Sequence, residues 1–148
     1  MTGILFDLDG TLLDTLEDLK DGVNYALRTL GYPERSLEEV RRFVGNGARR
    51  LMELAVPEGA DAEEAFSVIK PNNDAHCQIK TKPYAGIPEA LESLKEKYPV
   101  AIVSNKPDSA VKSLCADYFP GMYALGRRRT VPENRPPIWY TKPWRPSV

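Results

Sequence analysis

The stretch "FDLDGTLLDT", residues 6–15, sets two carboxylates two residues apart behind an apolar run. "GILFDLD", residues 3–9, is a short apolar run ending in acids and reads as a buried strand. In a strand, Asp7 and Asp9 leave the same face. They stand at its carboxyl end, where open α/β sheets bind their ligands. Two close carboxylates repel unless one is protonated or a cation lies between them. A hard divalent ion with oxygen ligands resolves the conflict, and Mg²⁺ is the usual one beside phosphates. Gly10 and Thr11 follow as a tight turn, expected to offer free backbone N–H groups to an anion. An EF-hand loop also begins with Asp-x-Asp, but it needs Gly at its sixth position and Glu at its twelfth. Here Gly10 is the fourth and Asp18 the twelfth.

A second cluster lies in "IVSNKPD", residues 102–108. Ser104 closes a β-branched run, and Asn105 and Lys106 lead into a helix at Pro107. A hydroxyl plus amides at a helix N-terminus forms an anion site. The same pattern is also an ordinary helix cap. Ser104 lies 97 residues beyond Asp7. If both stand at neighbouring strand ends, a ligand site becomes the stronger reading than a cap. Lys106 is read as facing solvent.

The elements that must hold these groups follow from apolar spacing. Leu16, Leu19, Val23, Ala26, Leu27 and Leu30 recur at helical intervals and stop at Gly31. Ser36-Leu37-Glu38-Glu39 is a capping-box pattern opening a second helix that runs through Val44. "GNG", residues 45–47, is a turn before a third helix over 48–55. Residues 61–70 read as a fourth helix, interrupted by Pro71, with a further helical piece over 72–79. Pro88 suits the first turn of a helix whose stripe is Leu91, Leu94 and Tyr98. "VAIVS" at 100–104 reads as a buried strand, 107–118 as a helix and "MYAL" at 122–125 as a third strand. The order predicts a parallel α/β core with a helical insertion after the first strand.

Composition bounds the function classes. The chain has 148 residues, room for one domain or a small core plus an insertion. Cys77 and Cys115 stand far apart in no metal-like spacing and read as reduced thiols of a cytoplasmic protein. No basic and apolar leader is visible at the start, and no stretch approaches the roughly 20 apolar residues of a membrane span. His76, the only histidine, reads as structural. Arg41, Arg42, Arg49 and Arg50 read as a solvated helix face, Arg49 being the one nearest the expected site.

"FDLDGTLLDT" and "VSNK", with "FVGNGAR" at 43–49 and "TKPYAGIPEALESLK" at 81–95, resemble the haloacid dehalogenase superfamily in its phosphoglycolate phosphatase-like group. The resemblance covers residues 3–126. It implies a Rossmann-like core, residues 1–14 and 81–126, and a small helical cap over residues 15–80. It also implies roles. Asp7 would be the nucleophile, forming an aspartyl-phosphate. Asp9 would protonate the leaving oxygen and then take a proton from water. Mg²⁺ would be held by the Asp7 carboxylate and the Asp9 backbone carbonyl. Gly10, Thr11, Ser104 and Asn105 would bind the phosphoryl group. Gly45, Asn46, Gly47 and Arg49 would face the substrate from the cap. The implied partner is a small phosphorylated metabolite, with no nucleic acid or membrane. The implied reaction is hydrolysis of a monoester such as 2-phosphoglycolate. A sugar-phosphate mutase, a nucleotidase or an inactive fragment remain as alternatives on the same scaffold.

The ending "GRRRTVPENRPPIWYTKPWRPSV" departs from all of this. Residues 127–148 carry six Lys/Arg and one Glu, whereas the whole chain has a net charge of −1. Two further motifs of the resembled family, a charge-balancing lysine in a "RKPAPD"-like stretch and a late acidic "GDS..D"-like stretch, do not appear there. Back-translated from Pro132 and read one phase over, the codons permit R-K-P-A-P-D-M-V-Y-E-A-L-E-A-L-G. The step from Trp139 to Tyr140 then allows only valine. A one- or two-base frameshift near Gly126 is therefore expected, with little activity from the chain as written. A basic, proline-rich linker or nucleic-acid arm is the alternative.

Overall fold

The computed structural model describes residues 2–76 and 78–128, without the side chains of residues 70–76. Readings that involve His76 as a side chain, Cys77, and residues 129–148 lie outside the described residues.

A short parallel sheet carries the site. Strand β1 (Ile4–Phe6) pairs with β4 (Val100–Pro107), which pairs with β5 (Tyr123–Arg127), all parallel. Ile4, Leu5 and Phe6 stand opposite Val100, Ala101 and Ile102. Parallel neighbours need long crossovers. The first holds everything from residue 7 to 99, and the second holds α6 (Asp108–Tyr118). Beneath the sheet, Leu8, Leu12, Leu13, Leu91, Ile102, Val111, Leu114, Cys115 and Phe119 form one buried cluster. Among the described residues β1 pairs on one side only, and Leu5 is 55% exposed.

The long crossover is mostly helical. Helices α1 (Leu16–Thr29), α2 (Leu37–Phe43), α3 (Ala48–Ala55) and α4 (Ala62–His76) enclose a second cluster. It holds Val23, Ala26, Leu27, Val40, Leu51, Met52, Ala55, Val56, Ala65 and Ile69. Each large aliphatic side chain so buried contributes about 1.5–3 kcal/mol. Gly31, at φ 73°, takes the left-handed conformation that ends α1. The capping box of α2 forms as expected. The Glu39 amide donates to Ser36 Oγ at 3.3 Å, and the Ser36 amide donates to Glu39 Oε2 at 2.8 Å.

Three elements differ from the sequence reading. Helix α4 runs through Pro71 to His76 without interruption. A proline removes one intrahelical bond and crowds the turn before it, at about 3 kcal/mol. Ala65 and Ile69, one turn apart and both ahead of Pro71, are packed into the helical cluster. Strand β4 continues past Ser104 to Pro107, because β5 extends to Arg127 and pairs with its end. Gly126 makes that approach possible: a Cβ there would lie 2.6 Å from Asp108 Cα and 2.7 Å from the Lys106 carbonyl. Its amide donates to Asp108 Oδ1 at 2.9 Å. Finally, of the α5 (Ile87–Lys95) stripe only Leu91 is fully buried; Tyr98, beyond the helix end, is exposed.

A two-stranded antiparallel ribbon, β2 (Leu13–Asp14) with β3 (Lys82–Pro83), joins the two regions where the chain leaves and returns. Buried Asp18 clamps the return. It accepts from the Lys80 amide at 3.0 Å, the Thr81 amide at 2.7 Å and Thr81 Oγ1 at 2.7 Å. Tyr118 donates from its hydroxyl to the Thr81 carbonyl at 2.9 Å, tying the ribbon to α6. No described helix is long and apolar enough to cross a membrane.

Candidate active site

Strand β1 stops at Phe6, so Asp7 is the first residue beyond it and Asp9 lies in the turn that follows. The alternation expected of a continuous strand therefore does not place the pair; the turn does. Leu8 organises it. The Leu8 carbonyl accepts from the amides of Thr11, Leu12 and Leu13, and the Gly10 amide donates to the Leu13 carbonyl at 2.9 Å. Leu8, Leu12 and Leu13 are fully buried beneath the loop. Gly10, at φ 75°, supplies the left-handed corner. The expectation of free N–H groups at Gly10 and Thr11 is corrected here. Both amides close the turn, since a loop this short over an apolar core must satisfy its own donors.

Asp9 sits in a network of donors. Thr15 Oγ1 donates to its Oδ1 at 2.7 Å, and Lys106 Nζ lies 2.9 Å from the same oxygen. Ser104 Oγ lies 3.5 Å from Asp9 Oδ2 and accepts from the Lys106 amide at 3.1 Å. The strand ends of β1 and β4 thus meet, as their parallel register requires. Lys106 does not face solvent. Its side chain is 14% exposed and that of Asp9 15%. The lysine lies on the extension of β4 past Ser104, which turns it back over the β1 end.

Asp7 is open to solvent on one side and lined by protein on the other. Partial desolvation pushes its carboxyl above the usual range. The Leu8 amide pulls it down, Asp9 pushes it up and Lys106 pulls it down. Asp7, Asp9 and Lys106 are therefore close enough to act on each other's charge.

The helical region reaches the site through one loop. Asn105 Nδ2 donates to the Gly45 carbonyl at 2.9 Å. A Cβ on Gly47 would lie 3.8 Å from the Asn105 carbonyl and 3.3 Å from a guanidinium nitrogen of Arg127. Asn46 is exposed at the loop tip. Arg49 is held inside the helical region, paired with Glu63 and stacked 4.9 Å over the Phe66 ring. Arg41 and Arg50 pair along their own helices with Glu38 and Glu53.

Sequence reasoning missed three contacts. Thr15 was legible as a helix start, yet its hydroxyl serves Asp9 and makes no cap bond. Asp18 sits in the acidic first turn of α1, which suits the helix dipole and hides its clamp on residues 80 and 81. Lys106 gave one signal, its place two residues after Ser104.

These features define a charged site at the carboxyl ends of a parallel α/β sheet: an acidic turn after the first strand faces a hydroxyl and a cation at the end of its neighbour. The haloacid dehalogenase-like hydrolase family model matches residues 4–117, and the chain belongs to that family. It is 36% identical over 115 residues to the phosphoglycolate phosphatase of Aquifex aeolicus, covering 77% of this chain and 54% of that protein. It is 32% identical over 144 residues to phosphoglycolate phosphatase 1 of Pseudomonas aeruginosa, covering 90% of this chain and 53% of that one. A crystal structure from Lactobacillus delbrueckii superposes with a TM-score of 0.78 at 32% identity, covering 87% of this chain and 66% of that one. The chain spans about half the length of the curated relatives it matches.

Proposed function

We propose that this chain carries the phosphoryl site of a Mg²⁺-dependent phosphatase for small phosphate monoesters of the 2-phosphoglycolate kind. The observation that favours it is the meeting of Asp7 and Asp9 with Ser104 and Lys106 across the ends of β1 and β4. The names of the relatives supply the substrate class. Residues 1–14 and 81–126 act as the core and 15–80 as a cap whose Gly45–Gly47 loop faces the substrate over Asn105.

Asp7, half open at the strand end, would attack phosphorus in line, forming an aspartyl-phosphate and releasing the alcohol. Asp9 gives its proton to the leaving oxygen. It then takes one from the water that hydrolyses the acyl phosphate. Ser104 Oγ and the Asn105 backbone hold the non-bridging oxygens. The donor set suits Mg²⁺, being hard oxygens on two adjacent carboxyl residues. The Asp7 carboxylate and the Asp9 backbone carbonyl would hold the ion. When bound it supplies charge neutralisation at the phosphoryl group. Among the described residues no group of three or more acids, histidines or cysteines converges there. One carboxylate and one carbonyl would hold Mg²⁺ weakly, so slow turnover is expected of the chain as written. The buried, unreactive Cys115 thiol, pushed up to about 11 by burial, suits a reducing, cytoplasmic setting.

The test is Mg²⁺-dependent phosphate release from 2-phosphoglycolate. Turnover below ~0.1 s⁻¹ is expected, under the usual enzyme range, and Asp7→Asn removes it. Release that survives Asp7→Asn sinks the assignment of the nucleophile. Turnover in the ordinary enzyme range sinks the expectation of slow chemistry.

A further inference from the structure

Strands β1, β4 and β5 run parallel, so their carboxyl ends share one edge of the sheet. Two of those ends supply Asp7, Asp9, Ser104 and Asn105. The third ends in half-buried Arg127, which stands opposite Pro107. The Arg127 guanidinium reaches the loop of the helical region. A Cβ on Gly47 would lie 3.3 Å from one of its nitrogens and 3.8 Å from the Asn105 carbonyl. One point on the loop therefore neighbours both Arg127 and the residue whose backbone would hold the phosphoryl group. Gly47, at φ 85°, puts no side chain between them. Asn105 Nδ2 fastens the same loop through the Gly45 carbonyl. The arginine expected to face the substrate from the cap, Arg49, is turned instead to Glu63 and the Phe66 ring. Lys106 is engaged with Asp9.

We propose that Arg127 is a specificity-determining residue: it binds a second anionic group of the substrate, a carboxylate one methylene beyond the ester oxygen, at the seam between the Gly45–Gly47 loop and Asn105. The inference deepens the phosphatase reading and rests on it. A planar guanidinium meets a carboxylate with two parallel N–H bonds and keeps its charge at any working pH. The groups after β1 and on β4 serve the phosphoryl end of the ester, and the end of β5 serves the acid end. An ester of a neutral alcohol offers the guanidinium nothing in that place. Selection for an acidic leaving alcohol thus comes from the core strand beside the cap loop, with the loop glycines leaving room for it.

The test measures binding of 2-phosphoglycolate and of ethyl phosphate by calorimetry, with Mg²⁺ present, in the full chain, Arg127→Met and Arg127→Lys. Thermal melts show that each variant is folded. The two esters share the phosphoryl end and differ in the carboxylate. The parent chain should prefer 2-phosphoglycolate by about tenfold or more, the worth of one charge-assisted pair. Arg127→Met should bring that preference to within about twofold of none by weakening 2-phosphoglycolate alone, and Arg127→Lys should keep only part of it. If Arg127→Met does not fold, Arg127→Lys decides, and an unchanged preference there overturns the proposal. An unchanged preference in folded Arg127→Met also overturns it and leaves the phosphatase reading intact. Equal weakening of both esters does the same, because it moves Arg127 to the phosphoryl end. So does a parent chain that binds ethyl phosphate as tightly as 2-phosphoglycolate. If the parent chain binds neither ester, the proposal falls together with the phosphatase reading.

Discussion

The helical region and the sheet solve the problem of burial differently. The helical cluster draws on residues 23–69, one continuous stretch, and closes on itself. Among the described residues, the sheet cluster joins residues 8–13 to residues 91–119 and leaves β1 paired on one side, with Leu5 exposed. Helices satisfy their backbone locally and need only a stripe to bury. A parallel strand takes its partners from distant sequence, and both faces of such a sheet are normally covered. The chemistry sits at the less closed of the two regions, at strand ends where backbone groups and charged side chains converge.

The largest effect should come from the closed region. Ile69→Ala empties a fully buried position between α4 and its neighbours, and should cost about 2–5 kcal/mol in urea unfolding. A loss under ~1 kcal/mol would mean that the helical cluster is less closely packed than its burial indicates.

A smaller effect of opposite sign is expected at the site. The folded-state pKa of Asp7 is raised, so this group favours the folded state fully only below its unfolded value of 3.8. That contribution is lost as pH rises through the folded value, and at neutral pH the ionised group opposes folding. Asp7→Asn should therefore raise the melting temperature at pH 7 in the absence of metal, and the gain should vanish near pH 3. A melting temperature that falls at pH 7 would place Asp7 in a favourable ion pair instead.

The smallest change in stability belongs to the open edge. Leu5→Lys should shift stability by less than ~0.5 kcal/mol and reduce self-association in sedimentation at high concentration, since charge on an edge strand opposes pairing. A loss of ~2 kcal/mol would place Leu5 under cover and erase the contrast between the two regions.

Much of the fold was legible because its signals are local. The stripe of α1, the capping box at Ser36 and the bounds of α3 depend on residues within a few positions of one another. Asp7, Asp9 and Ser104 stood out from residue type and spacing, and the fold brings Ser104 to Asp9. The ribbon between β2 and β3 was not: each strand is two residues long and exists only because the other is there. Pro71 misled because the local rule about breaking helices does not hold there: the helix continues to His76.

The sequence by itself indicated most of the helices, the three parallel strands, and that a block of helices stands between the first two strands of the parallel sheet. Tertiary structure decided how the groups are used. Gly10 and Thr11 spend their amides on their own turn, Asp18 clamps a segment 62–63 residues away, and Lys106 covers Asp9 rather than facing water. The reason is physical. A side chain's type and neighbours in sequence set what it can donate or accept, but its partner across 97 residues is fixed only when parallel strands come into register.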